Sequence, residues 1–233
     1  MSNQKIITTA FHFLGGAVFP VTTAEGYGLV KKLTGSATIA KTLGAAVISL
    51  DATSEVQNAS LYADDNLAFD IDDIVQFRAW IALVTAIGTG SKWRVGLASA
   101  RADDVDAIAA SAFFGGATGG AITAESDDGT NETAATATGL TLSGTAYKKL
   151  VIDFSKGFHA QSPPSLSVGG KSQVQFFAED ARGTLNQVCS GTRFNMTAYT
   201  SGLQPFVQLQ KTTGTDLGAI KIARIEIDHR VLS

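Results

Sequence analysis

The chain has 233 residues, 45% hydrophobic and only 17% charged, and its 18 basic against 21 acidic side chains leave a formal charge of −3. Ordinary soluble domains carry about 25% charged residues, and a disordered tail, which needs few hydrophobes and high net charge, does not fit this profile. Cys189 has no second cysteine for a disulfide framework, no run of about 18 apolar residues spans a membrane, and the opening Met1-Ser2-Asn3-Gln4-Lys5 leads into no signal-peptide core.

Residues 1–35 are expected to form an extended N-terminal arm. Within them Phe11-His12-Phe13-Leu14-Gly15-Gly16-Ala17-Val18-Phe19-Pro20 is apolar yet glycine-broken, with no sustained period. Such apolar surface has to be covered, either as a strand on the main domain or by a neighbouring subunit. Phe11, Phe13, Leu14, Val18 and Phe19 are the candidate contact residues. Residues 36–233 then make one domain, with weaker strand candidates at 45–50 and 58–62.

The clearest strand runs over 74–84, where Val75, Phe77, Ala79, Ile81 and Leu83 share one face and Gln76 and Arg78 lie on the other. Alternation of this kind, rich in aromatic and β-branched residues, marks a half-buried strand. Trp93, Val95 and Leu97 repeat it between Lys92 and Arg94, and Ile87-Gly88-Thr89-Gly90-Ser91 between the two runs predicts a hairpin. Trp80 and Trp93 are expected in the core. Residues 101–112 predict one short helix, alanine-rich with acids in its first turn, ended by Gly115-Gly116. Residues 117–144 are almost pure Ala, Thr, Gly, Ser and acid, with a turn at Asp127-Asp128-Gly129-Thr130. Strands follow over 148–154, 174–179, 206–211 and 220–228, with a turn at Asp180-Ala181-Arg182-Gly183. A run of strands with a single inserted helix predicts an all-β, antiparallel sandwich rather than alternating βαβ units.

The search for chemistry gives little. Glu226 and Asp228 lie two apart, so a strand aims both at one face. The pair resembles the start of the Glu-x-Asp-x-Glu motif of laminarinase and lichenase glucanases, but Arg230 stands where the third acid belongs. A solvated, self-paired outer face of Arg224, Glu226 and Asp228 is the plainer expectation. The acidic stretches Asp64-Asp65, Asp70-Ile71-Asp72-Asp73 and the oxygen-rich run 125–132 lack the register of a Ca²⁺ loop and read as turns. His12, His159 and His229 have no metal spacing, and there is no Gly-x-Ser-x-Gly elbow. No cofactor is expected. The dilute basic residues argue against nucleic acid. For a sugar-stacking site, Tyr62, Tyr147 and Tyr199 are the candidates.

Four phrases, Phe69-Asp70-Ile71-Asp72, Trp93-Arg94-Val95-Gly96-Leu97-Ala98-Ser99-Ala100, Lys149-Leu150-Val151-Ile152-Asp153-Phe154-Ser155 and Val174-Gln175-Phe176-Phe177-Ala178-Glu179-Asp180, stand in the order found in concanavalin-like jelly rolls of lectins and glucanases. The resemblance covers residues 36–233. Gly202-Leu203-Gln204-Pro205-Phe206-Val207-Gln208, within an Ala/Gly/Thr-rich chain, also resembles virion structural proteins of tailed bacteriophages. These resemblances imply a jelly-roll β-sandwich and a non-enzymatic capsid decoration or cement protein. Its partners would be the major capsid protein and its own copies as a homo-oligomer. Its place would be the virion head surface after synthesis in the host cytoplasm, with no membrane partner. A carbohydrate-binding or receptor-binding tail module, with a glycan as partner, is the alternative.

Overall fold

A computed structural model describes residues 4–13, 28–42, 44–144, 146–155 and 170–232. With strands numbered along the chain, two antiparallel sheets pack face to face. The first runs β14 (Leu185–Val188), β13 (Gln175–Glu179), β12 (Lys148–Asp153), β7 (Ile74–Thr85), β16 (Gly218–Leu232), β4 (Ala45–Leu50) and β3 (Thr38–Thr42). β1 (Gln4–His12) takes over from β4 along the same edge of β16. The second runs β11 (Glu132–Thr141), β10 (Ala121–Asp127), β9 (Ser111–Gly116), β8 (Ser91–Ala98), β15 (Gly202–Lys211), β5 (Gln57–Tyr62) and β2 (Val30–Thr34), with β6 (Phe69–Asp70) beside β15.

The period-two pattern fills the space between the sheets. Phe77, Ala79 and Ile81 of β7 face Trp93, Val95 and Leu97 of β8 through one apolar core shared with Leu150, Ile152, Phe114 and Phe176. Burying one such large side chain stabilises by roughly 1.5–3 kcal/mol, and Phe114 and Phe176 pack edge to face with ring centroids 5.0 Å apart. Strict alternation along β16 would put Ile220 and Ile222 on the face of Glu226. The register shifts between Ile222 and Arg224 instead, so Ile220, Ile222, Ile225 and Ile227 all reach the core. One extra residue, Ala223, changes the phase, as a β-bulge does.

Three expectations differ from this fold. β7 and β8 are not a hairpin: β7 pairs β12 and β16, while β8 pairs β15 and β9 in the other sheet. Glycines 88 and 90 carry the chain between the sheets, tucked against the Asp216 side chain, which would meet a Cβ at either position. The predicted helix shrinks to one 3-10 turn, Val105–Ala107, capped by the Asp104 carboxylate accepting from Asp106 N–H. Residues 111–116 are strand β9, because the flanks of β8 and β10 need a partner there, and Gly115-Gly116 sit within it. Trp80 is not core either: it lies on the outer face of β7, half-buried, beneath Arg224 (4.1 Å) and Lys149 (5.4 Å). Of residues 1–35, the described portion contributes β1 and β2 to the two sheets. The turn expected at Asp127-Asp128-Gly129-Thr130 lies between β10 and β11, which pair antiparallel.

Candidate functional site

The outer face of the second sheet buries a set of polar side chains, Asn58, Ser60, Arg94, Gln204, Gln208 and Gln210 among them. β15 sends Leu203, Val207 and Leu209 into the core and Gln204, Phe206, Gln208 and Gln210 outward. By the same alternation β5 presents Asn58, Ser60 and Tyr62, β8 presents Lys92 and Arg94, and β10 presents Glu125 and Asp127. A continuous row of amides and charges on one sheet face has to be paired or wetted.

The loop 99–110, between β8 and β9, supplies the pairing. Its ends meet, with Ser99 N–H donating to Ala110 O (2.9 Å) and Ala110 N–H to Ser99 Oγ (3.0 Å), so it is an Ω-loop folded back over the sheet. Asn58 Nδ2 and Gln208 Nε2 donate to Asp103 O at 2.5 and 3.0 Å, and Val105 N–H donates to Gln210 Oε1 at 3.1 Å. Lys92 Nζ pairs Asp104 at 3.2 Å and Asp106 at 2.5 Å. Val105 and Ile108 drive into a small apolar cluster of Phe113, Phe206, Tyr62, Ala98 and Val30.

Between this loop and the β10–β11 hairpin lies a groove. Its deeper part, about 90 Å³, is lined by Val105, Asp106, Ile108, Ser111, Glu125 and Thr133 among others. A shallower part of about 350 Å³ continues past Ala107 and Ala109 to Gly129 and Thr130. Asp106, Ile108, Asp127 and Glu132 border both. Asp127 and Glu132 are direct cross-strand partners, an arrangement that costs stability when both are ionised.

The electrostatics follow from burial and pairing. Burial pushes the Glu125 carboxyl above its ordinary range, although Arg94 Nε bonds it and pulls the other way. Asp104 goes down: burial opposes this, but Lys92, the Asp106 N–H and Gln210 outweigh it. Asp128 in the hairpin turn is also held low. Burial acts against that shift, and N–H groups of Ala198 (3.0 Å), Asn131 (2.6 Å) and Thr130 (3.0 Å) prevail. These bonds, with Gly129 at φ +82°, fix the turn that forms one wall of the groove.

The candidates read from sequence do not gather here. Phe11 is half-buried against the core and Phe13 is buried, while Leu14, Val18 and Phe19 lie outside the described residues. Tyr62 is buried under the Ω-loop, Tyr147 is half-buried beneath the Lys221 ammonium (5.5 Å), and the Tyr199 hydroxyl donates to Gly202 O (2.8 Å). Glu226 and Asp228 do share a face, but it is the outer face of the first sheet. There Arg78 bridges both at 2.9 and 2.6 Å, and Arg224 pairs Glu226 at 2.8 Å. Glu125 and Asp127 are the paired carboxylates that face a groove. Their signal was the Glu-x-Asp spacing opposite Ile122 and Ala124 on a strand, hidden in a stretch that reads as an oxygen-rich loop. Among the described residues no group of three His, Cys, Asp or Glu side chains is placed to hold a metal ion.

No family model matches the sequence, and no curated protein does. Solved structures do match. A protein of unknown function from Shewanella oneidensis MR-1 shares 11% identity over 97% of this chain and 87% of its own, with a TM-score of 0.63. The laminarinase of Rhodothermus marinus shares 8% over 99% of both chains at 0.61. The carbohydrate recognition domain of Emp46p, in its potassium-bound form, shares 11% over 88% of this chain and 90% of its own at 0.53. At such identities the likeness establishes the fold, an all-β antiparallel jelly-roll sandwich of the concanavalin-like kind. These structures match the jelly-roll half of the resemblance and none of its tailed-phage half. They also correct the expectation of a chain without catalysis. A laminarinase is built on the same fold from end to end, so the architecture does not exclude an enzyme.

Proposed function

We propose that the chain binds carbohydrate in the groove between the Ω-loop and the β10–β11 hairpin. The observation that carries this is the groove's lining, in which the carboxylates of Asp106, Asp127 and Glu132 stand with the Ser111 and Thr133 hydroxyls. Carboxylates and hydroxyls exchange hydrogen bonds with sugar hydroxyls, and convergent polar groups of this kind fix a small ligand's orientation. The fold supports the reading, since the structures that share it include a carbohydrate recognition domain and a laminarinase. A glycan array probed with the purified chain and with the double variant Asp127→Asn, Glu132→Gln tests it. Binding by the wild type that falls at least tenfold in the variant is the expected result. A blank array, or an unaffected variant, contradicts it.

A second reading, hydrolysis of the bound glycan, is favoured by Glu125. Its carboxyl is held protonated to higher pH by burial, the property of a general acid. Asp127 stands two residues along the same strand face, about 7 Å away at the backbone, a spacing compatible with the paired carboxylates of glycosidases. Glu125→Gln should then keep glycan binding and abolish release of reducing sugar. If wild type releases none from any glycan it binds, this second reading is lost. The virion role, with capsid protein and further copies as partners, rests on the sequence phrases alone.

A further inference from the structure

We infer that the groove is selective for sugars bearing a free amine, and that Ser111, Asp127 and Glu132 together read the ammonium. The inference rests on the carbohydrate reading above and names the chemical class of its ligand. Asp127 of β10 stands directly opposite Ser111 of β9 on one side and Glu132 of β11 on the other. Directly opposed residues share a sheet face with Cβ atoms about 5 Å apart. One hydroxyl and two carboxylates therefore line up across three neighbouring strands, and all three residues line the deeper part of the groove.

The protein satisfies the groups of this lining unequally. Glu125 and Asp106, its other carboxylates, are engaged by Arg94 and Lys92. Asp127 Oδ1 accepts from the Gly129 N–H at 2.8 Å, yet neither Asp127 nor Glu132 has a basic partner among the described residues. Ser111 is 6% exposed, and among the described residues its hydroxyl has no hydrogen-bond partner. A buried hydroxyl left unpaired costs stability, and two ionised carboxylates held opposite each other repel. One ligand group relieves both. A primary ammonium carries three N–H donors, enough for one bond to each carboxylate and one to Ser111 Oγ. A divalent cation takes six or more oxygens, more than these three side chains supply. A neutral sugar hydroxyl pairs with Ser111 but leaves the like charges uncompensated.

The test compares β-1,4-linked oligomers of glucosamine, N-acetylglucosamine and glucose, all of one length, titrated into the full chain by calorimetry. Oligolysine serves as an amine without a sugar. Charge-assisted bonds to both carboxylates predict that the glucosamine oligomer binds at least about tenfold more tightly than either neutral oligomer. That preference should weaken with added salt and fade as pH rises through the pKa of the amine. Glu132→Gln, at an exposed position, should cut the preference severalfold, whereas general damage to the groove would lower all three affinities alike. Equal wild-type affinities for the three sugars overturn the inference and leave the carbohydrate reading standing. A preference untouched in Glu132→Gln, or oligolysine that binds as tightly as the glucosamine oligomer, also overturns it. A glucosamine oligomer that does not bind overturns it as well, and the carbohydrate reading falls with it where the glycan array is blank too.

Discussion

Single side chains decide how the groove is held and how it responds to acid. Asp128 is buried at the hairpin turn and accepts three backbone N–H bonds, one of them from Ala198 in a distant segment. Asp128→Ala leaves those donors without their partner and should cost about 1–3 kcal/mol, read as a lower urea midpoint. Because its carboxyl is held below the ordinary 3.8, its stabilisation is complete above that pH and fades as pH falls through the lowered value. Glu125 runs the other way. Its carboxyl is raised above the ordinary 4.5, so between those two values the folded chain binds more protons than the unfolded one, and stability falls as pH rises. Glu125→Gln should remove that slope. Urea midpoints of the two proteins, compared from below pH 4.5 upward, check it: the wild type should lose ground to the variant as pH rises, and parallel curves would contradict the assignment.

At the scale of elements, the Ω-loop is the piece whose packing has functional weight. Its hold depends on two apolar pins, so Ile108→Ala should cost about 2 kcal/mol or more and make residues 99–110 the first site of limited proteolysis. Unchanged cleavage there would mean that the hydrogen bonds to Asn58, Gln208 and Gln210 suffice. The strands themselves were legible, because Phe77, Ala79 and Ile81 or Trp93, Val95 and Leu97 alternate plainly. Their partners were not. Period two says which face is buried and nothing about which sheet a strand joins, so the glycines between β7 and β8 read as a hairpin although they carry the chain between the two sheets. The loop was misread for a related reason. Alanine and early acids favour a helix locally, but Val105 and Ile108 find their apolar neighbours on β2, β5, β8, β9 and β15, a set no sequence window contains. The Glu125–Asp127 pair shows the same limit: its spacing was visible, whereas the groove it faces is made by a loop on another part of the chain.

For the whole molecule, the low charge noted at the outset has a structural counterpart. Two sheets of eight strands each need a large apolar core, and many remaining polar side chains are neutral amides and hydroxyls paired within the second sheet's outer face. The first sheet's outer face is instead closed by ion pairs, with Arg78 between Glu226 and Asp228 and Arg224 over Trp80. The two faces are thus chemically distinct, and the groove beside the Ω-loop lies on the second. Hydrogen-exchange mapping with a bound array glycan tests that assignment most directly. Slowed exchange at residues 105–109 and 123–133, with residues 76–80 and 224–228 unchanged, is the predicted outcome. Protection centred on the first sheet, or no change with any glycan, would contradict it.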